Sequence, residues 1–367
     1  MALKHPGRVP LLLLAAAGLV TGVWGGLVRM QATFFLPVDH AAWISFHGPL
    51  MVSGFLGTLI AVERAVAYAK PWTYVVPLVT GIGGGCLIVF ADGGPGPQLV
   101  TAGAFGYVVV ALAIVRRQCT VFTVLPALGA IAWFVGNALW VEGGTIPRSA
   151  LWWVAFIVLT IVGERLELAR MKRPTRHEKP LALTAVTVFG AGIASSLWIE
   201  SLGPRIAGAG MLLLALWLLM FDITRRTIRL PGLPRFTAVC LIVGYIWLGV
   251  AGGILVSGAE LVSSLPYDAL LHALFLGFAF SMIFGHAPIV MPAVLGVALP
   301  YRRVFYAHVA LLHAAVAGRV GADLAGSASG RSYAGAVAAV AIGLFVLSSL
   351  YAVLRESGLR ESGATRR

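Results

Sequence analysis

Seven side chains in this sequence could do chemistry inside a lipid phase: His47, His272, His286, His308, His313, Glu63 and Glu164. Each stands in or at the end of a long apolar run. Ionisable groups are rare there and by default functional. Neutral imidazole is also the commonest protein ligand for haem iron and copper. Five such histidines in a chain with only 14 acidic residues point first to a metal or haem site.

His47 lies about six residues into the run 41–66, and His272 about five into 267–297. The charge pattern below makes both runs travel from outside to inside, so the two imidazoles share an outer depth. Two imidazoles on separate helices can take the two axial positions of a haem, with Gly48 and Gly277 expected to make room. The plainer alternative is two unrelated polar residues, each satisfied by a carbonyl or water. His286 follows His272 on the same helical face but about 21 Å deeper. His308 enters the next run at comparable inner depth, so His286 and His308 could share an ion. His313 is rotated about 140° from His308. If that ion is copper, Met282 and Met291 are nearby soft ligands; mutual hydrogen bonding would meet the same need. Pro288 and Pro292 predict a kink beside His286. Glu63-Arg64 and Glu164-Arg165 read as local ion pairs at the inner interface, or else as a proton relay with His286.

The elements carrying these residues are membrane helices. The 367-residue chain is 59% hydrophobic and 11% charged, against roughly 25% charged residues in soluble domains. A span needs about 20 apolar residues. Twelve runs qualify: 9–30, 41–66, 73–92, 97–115, 120–141, 149–168, 180–199, 204–221, 236–257, 267–297, 303–325 and 332–354. Nothing between them is long enough for a soluble domain. The expected fold is therefore all-α, a single polytopic domain of about twelve transmembrane helices. The net charge of +13 would suit a nucleic-acid partner, but it is scattered over short loops. With a cytoplasmic N-terminus, every one of the 27 Lys and Arg residues falls inside except Arg29, Arg148, Arg205, Arg319 and Arg331. That bias places both termini in the cytoplasm of a bacterial-type inner membrane, with the lipid bilayer as partner and the first run kept as an uncleaved helix. Cys86, Cys119 and Cys240 form no paired motif and read as free thiols. His177, in a basic loop that meets anionic lipid, is given no role. The sequence has no phosphate loop, no GxSxG and no HExxH.

A repeat is also visible. Aligning Glu63, Glu164 and His286 aligns Phe55, Phe156 and Phe278 eight residues earlier, and Ile60, Ile161 and Ile283 three residues earlier. These lie in runs 2, 6 and 10, which implies a four-helix unit used three times.

On these features the chain resembles the haem–copper oxidase subunit I superfamily. That resemblance implies a pseudo-threefold arrangement and a low-spin haem held by helices 2 and 10, with His47-Gly48-Pro49-Leu50-Met51 similar to the helix-2 motif. Two stretches resemble the NnrS side branch more closely. His47 through Gly54-Phe55 is similar to its "HEMLFGF" stretch, and His272-Ala273-Leu274 leading to Gly285-His286 to its "HAL…GH" helix. The resemblance implies a haem- and copper-containing membrane protein of the nitric-oxide response. There are departures. Runs 6 and 7 contain no histidine, so the usual binuclear centre, and with it conventional terminal-oxidase activity, is not implied. Ser45 and Phe46 stand where an NnrS-type second histidine is expected. The leading expectation is a haem-binding, copper-associated membrane protein, with turnover left open. A transporter or channel with a His/Glu-lined path is the alternative, and a divergent respiratory oxidase or nitric-oxide reductase subunit the third.

Overall fold

The computed structural model describes residues 5–30, 41–143, 145–170, 176–259, 262 and 264–364. Some basic residues of the topology count, such as Lys4, Lys172, Arg173, Arg366 and Arg367, lie outside the described residues. Among the described residues every regular element is helical. The principal helices are α1 (Pro6–Arg29), α2 (His47–Tyr68), α3 (Pro71–Val89), α4 (Gly96–Arg117), α5 (Val121–Val141), α6 (Ile146–Ala169), α7 (Glu178–Ser195), α8 (Leu202–Phe221), α9 (Leu233–Val256), α10 (Leu265–Leu295), α11 (Phe305–Leu324) and α12 (Ala328–Ala364).

Ten of these are long and apolar enough to cross a membrane, rather than the twelve expected. The exceptions are α7 and α11. The first opens on Glu178 and Lys179, and the second carries His308, His313, Arg319 and Asp323. Consecutive helices pack as neighbours along the chain, and α1 touches α12. The bundle's first and last helices therefore meet. At its centre stands α6, with 78% of its most apolar window buried, against 28% for α1 and 22% for α12. Around α6 the fully buried rings of Trp133 and Phe156 stack at 4.8 Å. Small residues bring α1, α2 and α3 close: a Cβ on Gly18 would lie 2.9 Å from the backbone of Gly54. Such approach is how membrane helices gain packing that the lipid does not supply.

The expected run 41–66 is broken. A short helix, Ala41–Ser45, ends before Phe46, and α2 restarts at His47. Pro49 has no N–H to donate to the carbonyl of Ser45, which suits a restart at that point. Two π-helical segments follow the same logic in different helices. One spans Leu50–Gly57 in α2, the other His272–Ala279 in α10. Such i→i+5 segments are rare and frequently mark functional sites. One begins three residues after His47, and the other begins at His272. Pro288 and Pro292 sit inside α10, which continues to Leu295.

Candidate functional site

His47 and His272 open onto one cavity of about 1090 Å³. Ligand sites run roughly 300–1,000 Å³, so this one has room for a large cofactor. Helices α1, α2, α6, α10, α11 and α12 all contribute to its wall.

Both rings are held in the same way. His47 Nδ1 lies 2.6 Å from the carbonyl oxygen of Gly22, and His272 Nδ1 lies 2.7 Å from that of Asp268. A carbonyl only accepts, so each Nδ1 carries the proton and each Nε2 keeps its lone pair. A carbonyl behind a ligating imidazole fixes its tautomer and raises its basicity. The room for His47 comes from an unexpected place. A Cβ on Gly26 of α1 would lie 2.9 Å from His47 Cε1. Gly48 faces open space near Ile146, and Gly277 makes way for Trp247. Gly48 lines the cavity beside His47, whereas Gly277 is not part of its wall.

The cavity's rim is charged. Arg29, Asp268, Arg319 and Arg331 all line it. Arg319 Nε donates to Asp323 at 3.0 Å, and its Nη2 reaches Asp268 at 3.5 Å. Arg331 meets Asp268 at 2.5 Å, and its Nε makes an ion contact with Asp323 at 2.6 Å without hydrogen-bond alignment. Two arginines thus clamp two aspartates, one of which also holds His272 through its backbone. Arg319 further contacts the Met30 sulfur, and Met30's carbonyl accepts from Ser332 at 2.7 Å, tying α1 to α12. Sequence reasoning assigned no role to these rim residues. A signal existed: Arg29, Arg319 and Arg331 are three of the five basic residues on the side that the charge bias otherwise leaves bare.

The inner residues are arranged differently from expectation. Glu164 pairs with Arg64 of α2, not with its neighbour Arg165. Adjacent helical residues point about 100° apart and do not face each other. Arg165 instead meets His286, with Nη2 and Nε2 3.1 Å apart, while His286 Nδ1 donates to the carbonyl of Met282 at 2.8 Å. Ion and hydrogen-bond contacts thus join α2 to α6 and α6 to α10 at the very positions that the repeat aligned. Nearby on α9, buried Tyr245 donates to buried Asp222 at 3.0 Å.

The expected metal group of His286, His308 and His313 is not gathered. His308 is buried in an aromatic surround of Phe236, Phe284, Phe305 and Phe345, with Nδ1 3.2 Å from Ser348. His313 Nδ1 accepts from Trp247 at 3.1 Å, and its Nε2 lies 3.4 Å from Ser281, so both nitrogens are engaged. Arg165 already occupies His286. Among the described residues, no three of His, Cys, Asp and Glu stand together as a metal site. The three inner histidines thus have different neighbours, and His308 keeps a buried Nε2 with no hydrogen-bond partner among the described residues.

Residues 8–354 match a family model described as a domain of unknown function, DUF8744. No curated protein matches the chain.

Proposed function

The chain belongs to the DUF8744 family, and we propose that it is a haem-binding integral membrane protein whose axial ligands are His47 and His272. One observation carries this: two imidazoles from different helices open onto one cofactor-sized cavity, each with Nδ1–H held by a carbonyl and Nε2 free. Two imidazole Nε2 lone pairs on one cavity, with no hydrogen-bond partner given them by the protein, are two ligand positions ready for a metal. Arg319 and Arg331 are already matched by Asp268 and Asp323, so Arg29 supplies the positive charge at the rim for a haem carboxylate. A haem held by these two imidazoles would supply one-electron transfer. The chain's own residues bind and orient it: α1 and α10 carbonyls set the imidazole tautomers, and the Asp268–Arg331 contact anchors the turn that bears His272.

The nitric-oxide-response role implied by the NnrS resemblance rests on the motifs around His47 and His272. Oxygen reduction has no support from α6 or α7, where no histidine stands, and turnover is left open. We take α7 and α11 to cross the membrane as well, completing the twelve-helix, pseudo-threefold arrangement with cytoplasmic termini. The Arg64–Glu164 and Arg165–His286 contacts at aligned positions favour that arrangement.

A transporter is the second reading. It is favoured by the same wide cavity together with a polar cluster at the opposite end of α2, α6 and α10. An optical spectrum of the detergent-purified protein, reduced minus oxidised, separates the two. Sharp α-bands that vanish in His47→Ala and in His272→Ala are expected. A colourless, metal-free protein from haem-replete cells would leave the transporter.

A further inference from the structure

A second, shallower cavity of about 530 Å³ lies on the surface of the bundle and shares no lining residue with the large cavity. It is lined by Arg302 and Val304 before α11 and by Leu344, Leu347, Ser348, Tyr351 and Arg355 of α12. The α12 residues recur at spacings of three and four, so they form one stripe along one face. The stripe is graded: its Leu344 end is apolar, and at its other end Arg355 shares the groove wall with Arg302.

Three observations say what fills it. Leu347, Tyr351 and Val304 are more than half exposed, at 62%, 57% and 55%, so the groove faces whatever surrounds the bundle. From Leu344 to Arg355 is eleven residues, or about 16 Å of helix, close to the half-thickness of a hydrocarbon core about 30 Å across. The groove is therefore one leaflet deep. At its basic end Arg302 and Arg355 both line the groove, and Arg302 keeps a buried Nε–H with no hydrogen-bond partner among the described residues, an uncompensated donor.

We propose that this groove is a binding site for one anionic phospholipid. Arg302 and Arg355 hold the phosphodiester, and the acyl chain lies along Tyr351, Leu347 and Leu344. A free phosphate would use the arginines but leave the apolar length of the groove empty. A zwitterionic lipid would fill the length but bring a second positive charge to the two arginines. Ser348, on the groove wall, also bonds the buried His308, so an occupied groove braces the α11–α12 contact. The site is independent of haem binding.

The test is native mass spectrometry of the full-length protein released from nanodiscs holding equal parts phosphatidylglycerol and phosphatidylcholine. The wild type is expected to retain one phosphatidylglycerol in preference to phosphatidylcholine. Arg302→Ala with Arg355→Ala should weaken that retention on the order of thirty-fold, since each basic group near an anionic headgroup contributes about a factor of five. Arg225→Ala with Arg226→Ala, exposed basic residues outside the groove, should leave it unchanged. Should the arginine variant fail to fold, Leu347→Trp decides, because it keeps both arginines and blocks the chain path; it too should lose the lipid. Equal retention of the two lipids by the wild type, or wild-type retention by whichever variants fold, overturns the proposal.

Discussion

Gly26→Ala tests the histidine pair without touching either ligand. The new Cβ would stand 2.9 Å from His47 Cε1 and 3.0 Å from Nδ1. Carbon atoms settle near 3.5 Å, so the imidazole must retreat by about 0.6 Å. The ring has little freedom to do so, because its Nδ1 is already 2.6 Å from the Gly22 carbonyl. Metal–ligand distances hold to within about 0.2 Å, so a displacement of that size spoils one axial bond. Disturbing the groups that orient a ligating histidine typically lowers affinity 10- to 100-fold. The expected result is a folded protein that retains 10- to 100-fold less haem, or has lost its low-spin signature, read by the reduced-minus-oxidised spectrum and by haem content per chain. Gly253→Ala is the control, since a Cβ there meets nothing within 4 Å, and it should keep the full spectrum. A Gly26→Ala protein with wild-type haem content and band positions would refute the assignment of His47 as a ligand.

Asp268→Asn should lower the thermal unfolding midpoint, followed by tryptophan fluorescence. It removes one of two carboxylates from a largely buried pair of arginines, and the loss should come to about 1–3 kcal/mol after allowing for partial exposure; an unchanged midpoint would show that Asp323 alone suffices. Elemental analysis after growth with copper should find the same copper content in the wild type and in a His286→Ala, His308→Ala double variant, because the two rings have different partners; copper lost in the variant would reinstate a shared site. Reporter fusions in the loops near Arg117 and Arg226 should both read as cytoplasmic, and either one on the far side would break the assumed helix count.

The membrane helices were legible because a bilayer imposes a length, and the apolar runs obey it to within a few residues. That His47 and His272 come to one cavity was legible for a related reason: depth in a membrane helix can be counted. Side-chain direction was not. The π-helical segments shift the angular register after His47 and at His272, and no composition rule announces them. The expected pairing of Glu164 with Arg165 treated sequence neighbours as spatial ones, whereas α2 supplies Arg64 and α10 supplies His286. Gly26 escaped notice because its role depends on how α1 crosses α2, which the α1 sequence does not record. His313 looked like a ligand until Trp247, sixty-six residues away in sequence, took one of its nitrogens.

The wall of the large cavity draws on both ends of the chain: Gly26, Arg29 and Met30 from α1, and Arg331, Ser332 and Ile342 from α12. A ribosome adding about 5–20 residues per second needs roughly 3 to 12 s to travel from His272 to Arg331. During that interval His47 and His272 face an open-sided chamber with no α12 to close it. Any large guest must enter then, sideways from the lipid, or wait for the finished protein to part its first helix from its last. On the proposed haem reading, loading is thus set by when α1 and α12 meet, and a C-terminal truncation before Ser332 should leave a protein that can be filled but cannot hold what it receives.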